Sequence, residues 1–263
     1  MRKYIDYMEI GIKEHMVYSS SIWATFLSKI VYLYMQFALW NALFASNAEK
    51  NLALNHEETI RYIIVATVLS TIMECNVIGW INTEIQTGNI ANQLIRPMDF
   101  RTMIFSKHFG TTLIKTVLYC IPLCVVTGVA FHKPIVCDGQ LGFGFVSIIL
   151  AFIIQFLYSL IIGLMAFWLI VTWPLNMLLA AIYKLLSGSW IPVAMFPDLL
   201  GKINAFLPFR AIYSIPVTII TTPMSQENIL RNLIVQILWI VILYIVMTVT
   251  WRIGKKKLIV QGG

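Results

Sequence analysis

From Phe143 to Thr172 the chain reads F-G-F-V-S-I-I-L-A-F-I-I-Q-F-L-Y-S-L-I-I-G-L-M-A-F-W-L-I-V-T, thirty residues without a charge. A bilayer core needs ~20 mostly apolar residues per helix, so this stretch predicts a membrane-spanning helix. Working outward, five more stretches qualify: Ser20–Phe44, Ile60–Trp80, Thr111–Phe131, Leu175–Trp190 and Leu233–Trp251, the fifth in chain order (Leu175–Trp190) being short and interrupted. Composition agrees, with 59% hydrophobic and 12% charged residues and a mean hydropathy of +0.80. A soluble domain carries roughly a quarter charged residues. The expected fold is an all-α polytopic membrane protein, a single transmembrane domain over residues 1–263.

The N-terminus, M-R-K-Y-I-D-Y-M-E-I-G-I-K-E-H-M, mixes charges and lacks the apolar core of a secretory signal. On a helical wheel Tyr4, Ile5, Met8, Ile12 and Met16 share one side, and Arg2, Lys3, Asp6, Glu9 and Lys13 lie on the other. Residues 1–18 therefore read as an amphipathic helix lying at the membrane interface. With six spans, one side would hold both termini with Arg2, Lys3, Lys13, Arg96, Arg101, Lys107, Arg252 and Lys255–Lys257. The other would hold Lys50, Lys133, Lys202 and Arg210, with Arg61 and Arg231 near it. This bias places both termini and an 82–110 loop in the cytoplasm of a multi-pass cell-membrane protein.

The formal net charge of +7 is then mostly topology and attraction to lipid headgroups. Scattered over separate loops, the basic residues form no nucleic-acid surface. Cys75, Cys120 and Cys124 fall inside spans, where thiols pack as small apolar groups. Cys137 falls outside them without an evident disulfide partner. Neither a phosphate-binding loop, nor H-E-x-x-H, nor G-x-S-x-G is present. None of His15, His56, His108 and His132 falls within a span to act as a base for Ser189. No catalytic or metal site is expected.

The polar stretch Glu84 to Asp99, E-I-Q-T-G-N-I-A-N-Q-L-I-R-P-M-D, lies between the second and third spans. Ile85, Ile90 and Leu94 fall roughly on one helical side, with Gln86, Asn89 and Gln93 on others, which suits a short interfacial helix. Pro97 ends it, because the residue before proline is pushed out of the α region. Further on, Pro192, Pro197, Pro208, Pro216 and Pro223 punctuate an otherwise apolar stretch. Non-helical backbone at membrane depth is tolerated only where protein buries it or water reaches it. Residues 188–223 thus read as a re-entrant hairpin between the fifth and sixth spans. Trp190, Phe196, Phe206 and Phe209 equally suit an interfacial aromatic belt.

Three elements in this order resemble the ABC-2-type exporter permeases. They are G-N-I-A-N-Q-L-I-R-P (Gly88–Pro97), L-S-G-S-W-I-P-V-A-M-F-P (Leu186–Pro197) with L-P-F (Leu207–Phe209) and I-Y-S-I-P-V (Ile212–Val217), and the terminal Gly262–Gly263 after a basic tail. The resemblance implies that the chain binds no cofactor itself and that a separate ABC ATPase dimer handles ATP and Mg. It makes the loop a coupling helix entering that ATPase, with Glu84, Gly88, Ile90, Leu94, Arg96, Pro97 and Asp99 as its residues. Arg96 and Asp99 would pair with each other or with the partner, and Arg96 alternatively anchors to lipid phosphates. The hairpin would be an outer gate carried by Trp190, Pro192, Phe196, Pro197 and Phe209. A second permease, identical or different, completes the path for a hydrophobic or amphipathic cargo: a drug, lipid or peptide. The alternatives are an ion-coupled carrier or channel, or a membrane immunity or scaffold protein.

Charges inside spans each cost ~2.5–3.5 kcal/mol at the bilayer centre. Lys29, Glu74, Lys115 and Lys184 are the cases. Lys115 is expected to snorkel from a span end. A Lys29–Glu74 tie between the first two spans is the expected pair, and Lys184 is a substrate-path candidate.

Overall fold

The computed structural model describes residues 2–17, 19–46, 53–131, 139–169 and 173–261. Lys50, His132, Lys133, Cys137, the end of the fourth span and the Gly262–Gly263 terminus lie outside the described residues. The fold is all-helical, 84% helix, with no strand among the described residues.

Twelve α-helices follow in chain order among the described residues: α1 (Arg2–Met16), α2 (Ser19–Ala45), α3 (His56–Met73), α4 (Val77–Gln86), α5 (Ile90–Leu94), α6 (Phe100–Lys115), α7 (Ile121–Phe131), α8 (Leu141–Leu164), α9 (Trp173–Leu186), α10 (Asp198–Ala205), α11 (Ser214–Thr221) and α12 (Gln226–Gln261). The start of α3 is set locally. The Asn55 side chain accepts from the Glu58 N–H at 2.8 Å, and the Glu58 carboxylate accepts from the Asn55 N–H at 3.1 Å. Two orphan donors of the first turn are thereby satisfied.

Among the described residues five stretches are long and apolar enough to cross a membrane: Ile22–Ala45, His56–Gln86, Phe100–Val129, Leu141–Phe167 and Gln226–Lys257. Two differ from the sequence reading in the same way. The second runs on to Gln86 and the third begins at Phe100, so the polar loop expected over 82–110 shrinks to a tight 87–99 connection. Polar residues such as Thr102, Ser106 and Thr111 lie inside the helix because their hydroxyls donate to the capping Asp99 carboxylate, to the backbone of the preceding turn and to the Gly11 carbonyl of α1, respectively. Each of these long helices is also interrupted. Residues 74–76 separate α3 from α4, and a π turn, Thr116–Cys120, separates α6 from α7. In place of the expected fifth span, α9 has 14 residues, about 21 Å of helix against a ~30 Å hydrocarbon core.

The core is built around α8, whose inward positions Ala151, Ile154, Leu160 and Leu164 are fully buried. Helices α4, α11 and α12 pack on it. A buried polar tie joins three segments: Gln236 Nε2 donates to the carbonyls of Ser147 (3.1 Å) and Ala211 (2.9 Å), and Ser147 Oγ donates to Gln236 Oε1 at 2.9 Å. After the 3₁₀ turn Phe209–Ala211, the chain turns back into this core. Ile215, Pro216, Val217, Ile219 and Ile220 of α11 are all buried between α3 and α8. By contrast α2 is peripheral, touching α3 through Leu33, Trp40 and Phe44 against Ile60, Ile63 and Ile64.

Helix α1 is docked rather than free. It runs lengthwise along α6, and a side chain at Gly11 would strike the Lys107 carbonyl while one at Gly110 would strike the Met8 carbonyl. Small residues allow this approach of backbones. The packed stripe is Gly11, buried, with Tyr4, Tyr7, Met8, Ile12 and His15 half-buried beside it. Ile5 and Met16, expected on the same apolar side, are 51% and 53% exposed and remain available to lipid. The sequence reading placed Tyr4, Met8 and Ile12 on the packed side but not Gly11, because hydropathy does not register a glycine contact.

Candidate functional site

The 87–99 connection begins at Gly88, left-handed at φ 73°, which turns the chain from α4 into α5. Ile90 is fully buried, while Ile85 and Leu94 pack on the core beside it, so the apolar side faces inward. Glu84 accepts from Gln93 Nε2 at 3.2 Å across the turn. The opposite side, with Ala91, Asn92, Arg96 and Pro97, is exposed, and Ile95 stands 81% exposed at the tip.

Arg96 and Asp99 do not pair with each other. The Arg96 guanidinium lies 5.8 Å over the Tyr7 ring of α1. Asp99 instead caps α6, accepting from the Thr102 N–H at 3.0 Å, and forms an ion pair with Arg101 at 3.0 Å. Burial alone would raise the Asp99 carboxyl, but the Arg101 and Thr102 hydrogen bonds outweigh it and hold the group below the usual carboxylate range.

At the other end, α9 stops at Gly188, left-handed at φ 85°, as helices often do. Tyr62 Oη donates to the Gly188 carbonyl at 2.8 Å, Ser214 N–H donates to the Ser187 carbonyl at 3.1 Å, and Asn204 Nδ2 donates to the Leu186 carbonyl at 2.9 Å. The 188–223 segment is therefore tied to α3 and α9. Within it Pro192 is buried, Phe196 half-buried and Pro197 exposed at the head of α10. Trp190 is 46% exposed, with Lys184 Nζ 5.6 Å above its ring. Phe209 is buried and edge-on to Tyr158 at 5.5 Å, inside the bundle rather than at its mouth.

Between α2, α3, α8 and α9 lies a cavity of about 510 Å³, lined by Lys29, Glu74 and Lys184 together with Ser70, Gln155, Tyr158, Asn176, Tyr183 and Trp190. The structure thus brings three of the four intramembrane charges named from sequence to one space, but not in the expected pairing. Glu74 binds Lys115 at 3.2 Å, while Lys29 Nζ donates to Ser70 Oγ at 3.2 Å. Lys115 is buried rather than snorkelling, because the third span starts well before it and puts it mid-helix.

Glu74 also lines a second, smaller cavity of about 230 Å³, shared with His15, Trp80, Lys107, His108 and Lys115. The Glu74–Lys115 pair stands between the two spaces, beside both the α3–α4 break and the π turn. Lys107 pairs with Glu14 at 2.9 Å, and His15 Nε2 meets Tyr119 Oη at 3.1 Å, so α1 closes the outer wall of this smaller space. Burial lowers the His15 imidazole from its usual value and Lys115 lowers it further, with Glu74 opposing.

Among the residues missed from sequence, Gln155 had a signal: it is the one amide in the charge-free stretch 143–172. Cys124, expected to pack inside, is exposed on the flank of α7. Residues 16–262 match the family described as ABC-2 family transporter protein. No curated protein sequence matches the chain.

Proposed function

Because the chain belongs to the ABC-2 family of transporter proteins, we propose that it is the permease subunit of an ATP-driven exporter in the cell membrane. A separate ABC ATPase dimer binds ATP and Mg and supplies the work. A second permease, a further copy or a different chain, completes the path. In this reading α9 is a further crossing, giving six, and both termini face the cytoplasm. Residues 188–223, with α10 and α11, form a re-entrant outer gate, and the whole is one transmembrane domain.

One observation carries the reading: a cavity lined by Lys29, Glu74, Lys184 and Gln155 among helices apolar enough to cross a membrane. Ionisable groups there are costly and mark substrate pathways. Its apolar wall suits a hydrophobic or amphipathic cargo taken from the cytoplasm or inner leaflet. The 87–99 connection supplies the coupling element, with a packed inner side and an exposed tip at Ile95 and Arg96. A carrier driven by an ion or proton would want a free carboxylate, and Glu74 is held by Lys115.

The test is co-purification with the ABC ATPases encoded beside it, followed by ATP turnover in lipid. Arg96→Glu is expected to lower partner-stimulated turnover several-fold while the complex still assembles. Unchanged turnover would sink the coupling role. Absence of any ATPase complex would bring the carrier and the immunity or scaffold readings forward.

A further inference from the structure

The larger cavity has an imbalance of charge. Its carboxylate, Glu74, is already bound by Lys115. Among the described residues Lys29 has only the Ser70 hydroxyl as a hydrogen-bond partner for its ammonium, and the Lys184 ammonium rests over the Trp190 ring. Among the described residues neither ammonium has a carboxylate within 4.0 Å. Among the described residues two ammonium groups, Lys29 and Lys184, thus line this space with one carboxylate that a third, Lys115, already holds. A cation left unpaired among apolar helices is unfavourable unless an anion or water reaches it. A neutral cargo would leave the imbalance in place, and a cationic one would deepen it.

Two further groups await a partner. Gln155 is buried at 6% exposure, and its Nε2 donates to Ser159 Oγ at 3.3 Å while its Oε1 has no hydrogen bond. Asn176 Oδ1, on the facing helix α9, likewise has none among the described residues. Both residues line the cavity. Acceptors of this kind suit hydroxyl or amide N–H donors. Apolar side chains, Met73, Ile162 and Leu179 among them, share the rest of the wall with hydroxyls such as those of Thr67, Tyr158 and Tyr213. A volume of about 510 Å³ lies within the range of small-molecule sites.

We propose that this cavity binds an amphiphile whose head carries a phosphate or carboxylate beside hydrogen-bond donors. Lys29 and Lys184 grip the anion, Gln155 and Asn176 accept from the donors, and the tail lies along Met73, Ile162 and Leu179. The identity of this ligand as cargo rests on the permease reading; its chemistry does not. The same head chemistry has two sources, an exported molecule or a membrane phospholipid.

The chain, purified without any ATPase into phosphatidylcholine nanodiscs, is titrated with dodecyl phosphate by calorimetry against empty nanodiscs. Saturable binding is expected, about tenfold weaker in Lys29→Met and in Lys184→Met. Lys184 is exposed, so its replacement leaves the core intact, and Lys29→Gln serves if Lys29→Met fails to fold. Dodecyltrimethylammonium and inorganic phosphate are expected not to saturate. Competition by phosphatidylglycerol assigns the occupant to membrane lipid, and binding that resists it assigns the site to cargo; both uphold the head chemistry. Wild-type affinity in the Lys184 and Lys29 variants, equal binding of the cationic amphiphile, or equal binding of inorganic phosphate overturns the proposal. Since no ATPase is present, these results stand or fall separately from ATP coupling.

Discussion

Gly88 and Gly188 adopt the same left-handed backbone, with φ of 73° and 85°, in very different surroundings. A Cβ at Gly88 meets nothing within 4 Å, whereas one at Gly188 would lie 2.6 Å from Tyr62 Oη. Gly88→Ala is therefore expected to cost only the backbone strain, about 1–2 kcal/mol. Gly188→Ala adds displacement of the buried Tyr62 hydroxyl from the Gly188 carbonyl, about 1–3 kcal/mol more. Thermal unfolding in detergent ranks the two, and equal losses would contradict this account. Asp99 offers a second comparison at this scale. Its carboxyl is held low, so the unfolded chain takes up the proton first. The stabilisation is complete above about pH 4 and fades as pH falls through the lowered folded value. Asp99→Ala is expected to cost about 1 kcal/mol at neutral pH through loss of the α6 cap. Asp99→Asn should flatten the acid limb of the stability curve. Proline had already marked the end of the short helix in this connection, because its backbone limit is local, although the loop around it was expected over 82–110. The partner of Asp99 was not legible, since Arg96 and Arg101 are both within reach along the chain.

Helix α1 is held by close backbone approach to α6 and by His15 against Tyr119 of the π turn that follows α6. His15 is lowered in the docked state, so an undocked helix binds the proton more readily. Docking is thus at full strength above the usual histidine value of about 6.5 and weakens as pH falls through it. Amide exchange across Tyr7–Met16, corrected for intrinsic rates, should lose protection as pH falls below about 6.5. In His15→Gln that loss should vanish; a pH response that persists would place the switch elsewhere. In α12 the fully buried Gln236 ties the Ser147 and Ala211 carbonyls. Gln236→Leu leaves these groups and the Ser147 hydroxyl without that partner, and should cost about 1–3 kcal/mol. Model transmembrane systems average nearer the low end, so a loss read by thermal unfolding below that range would mean Ser147 finds another acceptor. At the element scale the apolar runs announced α2, α3, α8 and α12. They did not announce that α4 and α6 extend so far, because polar side chains within those helices bond to backbone.

On the scale of the whole molecule the number of crossings decides topology. Five crossings would put the 87–99 connection and the basic end of α12 on opposite sides, and six put them on the same side. Single-cysteine variants Asn92→Cys, Lys202→Cys and Lys256→Cys, in a chain freed of its own cysteines, separate the two with an impermeant maleimide. Asn92→Cys and Lys256→Cys are expected to react only after cells are opened, and Lys202→Cys in intact cells. Labelling of Asn92→Cys and Lys256→Cys from opposite faces would remove α9 as a crossing. What the sequence determined by itself is what depends on neighbours along the chain. Those features are an all-helical membrane class from uncharged runs, a polar connection whose short helix ends at Pro97, and a proline-broken segment before α12. The tertiary structure alone decided which distant side chains meet. Glu74 takes Lys115 and not Lys29, and α1 turns its glycine stripe to α6. Lys29, Lys184 and Gln155 gather round one cavity. Such meetings depend on the depth and rotation of each helix, and these are set by packing against partners remote in the chain.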